Sequence, residues 1–493
     1  MSTYKQVLDH ARTIRTLQSV DDLMSWDQET MMPPAANEHR TAQKVLLSGL
    51  IHDKKLDLAF FKNLETLLET HKDDSSDEAT IINRLHRDIQ KARKLPIAFV
   101  ERMTEATSSG VNVWQQARAT DNWELFLPYF KNILDLTREK IDLLRYEEHP
   151  YDALLDEFDP GMTTARTQSL LSALKPKLVS LLKEVKKTPF FTAPYKTFAA
   201  PHQDEMRACK ELVTLVGLDW KRARMDRSTH PFSSSGHPTD GRFTIRKKSD
   251  DILDQATAAL HEAGHAMYDL GLQASFYGTP LAEPASFSIH ESQSRFWETL
   301  IGKSKLFVPH IFSVLGKSLS QPLPYDSEED LYNQLNHVAC SPIRVEADEV
   351  TYPLHVILRF EIELELLAGD LAPKEVPERW NAGMQELLGI TPKNNSEGCL
   401  QDIHWSIGSF GYFPSYALGS LFSTCWYTAM KKSLPNLEEL IKGGTFSPIK
   451  SWLQENVWNH GRRFYSHDLV ARSLGREPTE DDYISYLREK YVG

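Results

Sequence analysis

The chain has 493 residues, 68 acidic against 56 basic, for a net charge of −12, and this acidic balance excludes the electrostatic footprint that a nucleic-acid or anionic-membrane partner requires. No segment reaches about 18 uncharged apolar residues, which excludes a helical membrane span, and the opening MSTYKQVLDHARTIRTL has neither the apolar core nor the small-residue cleavage site of a secretory signal. Four scattered cysteines, Cys209, Cys340, Cys399 and Cys425, suit a reducing compartment better than a disulfide framework, so a soluble cytoplasmic enzyme is expected.

Amphipathic helices are predicted over 5–22, 38–50, 56–69, 79–94, 123–146 and 167–186, where apolar residues recur at three- and four-residue intervals. Breaks rich in Pro, Gly, Ser, Asn or charge fall at 72–77, 188–203, 228–241, 321–328 and 391–398. None is long enough for an interdomain linker and no internal repeat is present. A single mainly α catalytic domain over 1–493 is therefore expected, with a helical part to about 225 and a chemistry-bearing part from about 226.

Residues 242–247 alternate polar and apolar, with Phe243 and Ile245 on one face, and read either as an edge strand able to pair with extended substrate or as a structural hairpin. A helix follows over 251–272, its stripe made by Leu253, Ala256, Leu260, Ala263, Met267 and Leu270; Ser249 or Asp250 can cap its start and Gly271 can end it.

That helix carries His261-Glu262-Ala263-Gly264-His265, an H-E-x-x-H string. Two imidazoles four positions apart lie on one face of a helix and can grip one zinc ion, with the intervening glutamate as base. A hydrolytic zinc site needs a third protein ligand, and Glu291, in His290-Glu291-Ser292-Gln293-Ser294-Arg295, is the candidate on a second helix. Arg295, one turn after Glu291, is spaced to pair with it. Asp269, one turn after His265, can accept the far N–H of a ligand imidazole; its plainer reading is an exposed carboxylate.

The two strings stand with several others in order. Asp240, Arg242 and Thr244 fit D-x-R-x-T; Ile343, Arg344, Ala347 and Asp348 fit I-R-x-x-A-D; Gly398, Gln401, Asp402, His404 and Trp405 fit G-x-x-Q-D-x-H-W. Trp26 to Thr30 with Met32-Pro33, the stretch 151–163 and FGYFPSYALG at 410–419 also match. In these the chain resembles the carboxypeptidase Taq-type metallopeptidases over nearly its whole length. One departure follows Thr244, where Ile-Arg-Lys stands in place of the expected Thr-Arg-Tyr.

The resemblance implies a large helical metallopeptidase with a deep substrate groove and a small sheet near the metal, gluzincin and neurolysin-like in kind. It also implies one zinc ion per subunit (cobalt being an alternative), release of C-terminal amino acids, and homodimers. On this reading Glu262 takes a proton from water and passes it to the leaving amine. Tyr416 donates to the oxyanion, or else is a core aromatic, and His230 contacts substrate. Arg344 holds the free carboxylate of a peptide substrate, its alternative being an ion pair with Asp348. Gln401, Asp402 and His404 line or support the site. Competing functions are a zinc endopeptidase, oligopeptidase or dipeptidase of the same helical fold, and an inactive scaffold.

Overall fold

The computed structural model describes residues 2–72, 74–247 and 249–493; Asp73, within the break at 72–77, lies outside the described residues. The protein is mainly helical with one three-stranded sheet. Helices run beyond their apolar stripes: the first spans Thr3–Thr30, started by the Ser2 hydroxyl accepting from Lys5 N, because the backbone ladder continues through polar residues once begun. The helix Ile97–Ala119 falls within the part expected to be helical, though no separate span was predicted there. It buries Ala106, Gly110 and Ala117 beside Phe99 and Trp114, and such small residues barely register in a hydrophobic period. No helix among the described residues is long and apolar enough to cross a membrane.

The chain divides into two units. One comprises Met1–Arg93, Tyr195–Leu335 and Trp426–Gly475; the other comprises Lys94–Pro194, Asn336–Cys425 and Arg476–Gly493. The sequence position near 225 falls inside the first of them.

The sheet belongs to the first unit. Strands β1 (Ala223–Ser228), β2 (Ser233–His237) and β3 (Asp240–Arg246) lie in the order β1-β3-β2, with β3 parallel to β1 and antiparallel to β2. Phe243 and Ile245 are fully buried, as the alternation requires. The edge-strand expectation is corrected: β3 is central, both its edges are paired, and it has no free edge for a substrate. Thr244 is buried too, its hydroxyl 2.6 Å from Ser228 Oγ and accepting from Phe232 N at 3.1 Å, so it ties the β1–β2 loop to the central strand.

From β3 the chain enters the helix Ile252–Gly271. Its cap is Asp251, one residue after the candidates named from the sequence: with extended backbone, its carboxylate accepts from Leu253 N at 3.0 Å, while Ser249 Oγ accepts from Asp251 N at 3.1 Å. The six stripe residues are all buried, but so are Gln255, Thr257, Ala259, Ala266 and Tyr268. Packing against β3, the helix His202–Leu215 and the helix Phe287–Arg295 leaves no broad solvated back. Gln255 pays for its burial by bonding Arg246 N and O at 3.2 and 2.9 Å, extending the β3 pairing onto the helix.

The second unit has a core of Trp123, Phe126, Phe130, Tyr151, Phe360, Trp380 and Trp405 among aliphatics from helices such as Trp123–Leu144 and Thr164–Val185. Within it the helix Tyr352–Ala368 buries His355, Arg359 and Glu363, so polar partners must be supplied inside that unit.

Candidate metal centre

The site begins with a close approach of two helices. A Cβ on Gly264 would lie 2.6 Å from Gln293 O and 2.8 Å from Ser294 Cα, so only glycine lets the helix Ile252–Gly271 meet the helix Phe287–Arg295 at this distance. The second helix is capped by Ser286 Oγ, which accepts from Ile289 N at 3.1 Å. It is pinned by two buried indoles, Trp426 Nε1 donating to Ser292 Oγ and Trp458 Nε1 to Gln293 Oε1, both at 2.9 Å.

This crossing brings His261, His265 and Glu291 together, with one ligating atom of each within 4.8 Å of the others. Glu291 Oε2 lies 3.6 Å from His261 Nε2 and 3.6 Å from His265 Nε2. Tetrahedral zinc with bonds near 2.1 Å separates its ligand atoms by about 3.4 Å, so the three converging atoms fit one zinc ion and leave the fourth position to water or substrate.

The outward nitrogens are held differently. His261 Nδ1 lies 2.8 Å from Glu298 Oε2, and Glu298 also pairs with Arg295 at 3.2 Å and Lys303 at 3.3 Å. Arg295 Nε donates to Glu291 Oε1 at 2.8 Å, the one-turn pair expected from the spacing. Asp269 does not reach a ligand imidazole, which corrects that expectation: His290 is wedged between, its Nδ1 2.5 Å from His265 Nδ1 and its Nε2 2.9 Å from Asp269 Oδ1.

Charge follows from this packing. Burial pushes Glu262 up to about 7, with Glu291 and Glu298 adding to the rise over the opposing pull of His261. Glu262 Oε2 is buried without a hydrogen-bond partner, an expensive state for a carboxylate unless something else engages it. Burial also opposes charge on His261, but Glu291 and Glu298 outweigh it and raise its pKa. Burial, reinforced by His290 and His261, holds His265 well below the ordinary imidazole range. Glu298 stays well below the carboxylate range because Arg295 and Lys303 overcome its burial. The carboxylates Glu262, Asp269, Glu291 and Glu298 thus share the site with the imidazoles of His261, His265 and His290, one guanidinium and one ammonium, a donor set suited to a divalent cation.

The other residues named from the sequence fall on other elements of the chain. His230 is exposed on the loop after β1, its carbonyl accepting from Ser228 Oγ. Arg344, Gln401, Asp402, His404 and Tyr416 belong to the second unit. Arg344 is buried and donates to Asp402 Oδ1 from Nε and Nη2 at 3.1 and 2.8 Å and to Tyr352 Oη at 3.1 Å. Asp348 is not its partner; Asp348 accepts from Val350 N, Thr351 N and the Thr351 hydroxyl at the head of the helix Tyr352–Ala368. Asp402 takes a second guanidinium, Arg359 Nε, at 2.6 Å. Gln401 accepts from Arg344 N at 2.7 Å and donates to the carbonyls of Pro342, Glu397 and Gly398, locking that loop. His404 Nε2 lies 3.2 Å from the Tyr416 hydroxyl, and burial lowers its pKa to about 4.

Three contributors escaped the sequence reading. Glu298 follows Glu291 by seven residues, two turns on the same face, and that spacing was the available signal. The helix widens into a π turn over Phe296–Gly302 just there, a distortion common at functional sites. Gly264 and His290 stood inside recognised strings, but their packing roles have no local signature.

Comparison with known proteins agrees with this geometry. The model of the family carboxypeptidase Taq (M32) metallopeptidase matches residues 6–491. Thermostable carboxypeptidase 1 of Pyrococcus furiosus is 36% identical over 499 residues, covering 99% of this chain and 98% of the relative. Carboxypeptidase 1 of Bacillus subtilis is 33% identical over 494 residues, covering 99% and 97%. Among solved structures, Pyrococcus furiosus carboxypeptidase superposes with a TM-score of 0.95 at 35% identity, covering 100% of this chain and 99% of that one. Trypanosoma cruzi metallocarboxypeptidase 1 gives 0.95 at 29%, with the same coverage. A match running the length of the chain and a ligand set built for zinc lead to one conclusion: the chain belongs to the carboxypeptidase Taq (M32) metallopeptidase family and is a zinc-dependent carboxypeptidase.

Proposed function

We propose that the protein shortens peptides one residue at a time from a free C-terminus, with residues 1–493 acting as one catalytic domain. The observation that carries the mechanism is the buried, unpartnered Oε2 of Glu262 beside the converging atoms of His261, His265 and Glu291. When bound, zinc supplies Lewis acidity, polarising a carbonyl and lowering the pKa of water from about 15.7 toward about 7. Glu262 takes the proton of the attacking water and delivers it to the departing amine. Burial, which opposes the charged form of Glu262, favours its taking up a proton in the first half of that transfer.

Tyr416 is assigned as donor to the oxyanion. Supporting this, its ring lies under the Arg344 guanidinium, 4.8 Å from centroid to Cζ, where the cation favours hydroxyl donation. Arg344 is assigned to the substrate's free carboxylate. In its support, Arg344 and Arg359 share the single carboxylate of Asp402, so the group keeps an excess of positive charge that a second carboxylate balances. Asp402, Gln401 and His404 position Arg344 and Tyr416, and His230 contacts the peptide from its exposed loop. The gluzincin, neurolysin-like grouping with its substrate groove and the homodimer complete the reading on the strength of the resemblance, and the cytoplasmic location on that of the scattered cysteines.

The test is mass spectrometry of a peptide ladder with and without chelator. Stepwise loss of single C-terminal residues, abolished by chelation, is the expected result. Internal cuts, or equal rates for free and amidated peptides, favour the endopeptidase or oligopeptidase alternative. A purified chain without stoichiometric metal, inert after zinc or cobalt addition, favours a scaffold.

A further inference from the structure

His290 has no part in the chemistry above, yet it bridges His265 and Asp269. Its ring meets that of His265 edge to edge, with centroids 4.5 Å apart and planes only 24° from parallel, and the Tyr268 ring flanks it at 5.4 Å. Tyr268 is itself fixed, its hydroxyl accepting from Ala285 N at 3.0 Å. The imidazole is therefore held at both nitrogens, with the Tyr268 ring beside it.

Two facing Nδ1 atoms at 2.5 Å can share only one proton, because a hydrogen bond needs one donor and one acceptor. His265 turns Nε2 toward Glu291. To offer a lone pair there it must carry its proton on Nδ1, and that proton points at His290 Nδ1. His290 must then be the acceptor, with its own proton on Nε2, 2.9 Å from Asp269 Oδ1. Only this tautomer pair satisfies all three residues while leaving the His265 lone pair free.

We propose that His290 and Asp269 form a two-residue relay that fixes the metal-binding tautomer of His265, with His290 as the positioning residue. The inference rests on the zinc reading of the His261, His265 and Glu291 cluster. It distinguishes the two histidine ligands: His261 is oriented by a carboxylate directly, His265 through a neutral imidazole whose orientation depends on Asp269. Partners of this kind are worth about 10- to 100-fold in metal affinity.

The experiment is zinc affinity, measured by chelator competition, for the wild type and the His290→Asn, His290→Gln and His290→Ala variants, with melting of each zinc-free protein. Asparagine places an amide oxygen where Nδ1 stood and keeps the acceptor for His265; glutamine places its amide nitrogen where Nε2 stood and keeps only the bond to Asp269. The expected result is affinity within about threefold of wild type for asparagine, and losses of about 10- to 100-fold for glutamine and alanine, with asparagine and glutamine variants melting alike when zinc-free. Equal affinities for asparagine and glutamine overturn the relay, since a packing role does not distinguish them. Asp269→Ala tests it from the other end: it should weaken zinc binding in the wild-type background and have little effect on top of His290→Asn, whereas additive losses overturn the proposal. A wild type that binds no zinc refutes the metal reading itself, a separate outcome.

Discussion

Two buried polar clusters, one in each unit, have opposite electrostatic needs. Around His261, His265 and Glu291 the carboxylates outnumber the fixed cations, and a buried oxygen of Glu262 has no partner. Around Asp402 the relation is reversed: two guanidiniums, Arg344 and Arg359, close on one carboxylate, and the Trp380 ring lies against Arg359 at 4.3 Å. Burying unbalanced charge is costly, so each cluster implies what completes it, a dication in the first and an anion in the second. The difference is the physical ground on which the proposed roles of the two clusters, chemistry for the first and substrate recognition for the second, can be tested.

The sharpest break between the clusters is Glu262→Gln. Removing the base should lower kcat by about 10²- to 10⁴-fold while zinc stoichiometry, read by metal analysis, stays at wild-type level; normal turnover would refute the base assignment. Next in size is Asp402→Asn, which strands two buried guanidiniums and should cost about 3–5 kcal/mol of unfolding free energy. Its pH dependence has a definite sign. Burial opposes the charged form of Asp402, but Arg359 and Arg344 outweigh it and depress the folded pKa below the usual value of about 3.9. The stability it contributes is therefore complete above about pH 4 and lost as the pH falls toward the folded pKa. Denaturant unfolding from pH 6 to pH 3 should show that acid loss in the wild type and a flatter profile in the variant.

Arg344→Ala asks whether the cationic cluster reads a carboxylate. Losing a charged hydrogen bond worth about 1.5–3 kcal/mol should raise KM for free-acid peptides by about 10- to 100-fold and spare their amidated twins; equal losses would reject the role. The smallest effect is expected from Gly264→Ala, which forces a methyl against Gln293 O and should cost about 1–3 kcal/mol in melting with weakened zinc binding. Gly49→Ala is its control: that glycine lies in the helix Asn37–Lys55 with nothing within 4 Å of the added carbon, and the change should be neutral or stabilising by up to about 1 kcal/mol.

Much of the centre was legible before any coordinates. The two histidines, Glu262 and the pair of Glu291 with Arg295 follow from i,i+4 spacing, which backbone geometry makes a neighbour relation in any helix. The helix itself was legible from its stripe, and the zinc reading from the donor types. The cap was misplaced by one residue because Ser249, Asp250 and Asp251 are all competent, and only the extended backbone of Asp251 selects it.

What sequence by itself determined was the helical class, the three residues of the metal cluster, and the likeness to a peptidase family. Tertiary structure alone decided that His290 intervenes between Asp269 and His265, that Glu298 steadies His261, that β3 is central, and that Arg344 finds Asp402 rather than Asp348. The physical reason is range: spacing within one helix is set by 3.6 residues per turn. A partner 25 or 58 positions away is chosen by which helices pack, how closely a glycine lets them approach, and which buried charge is left to satisfy.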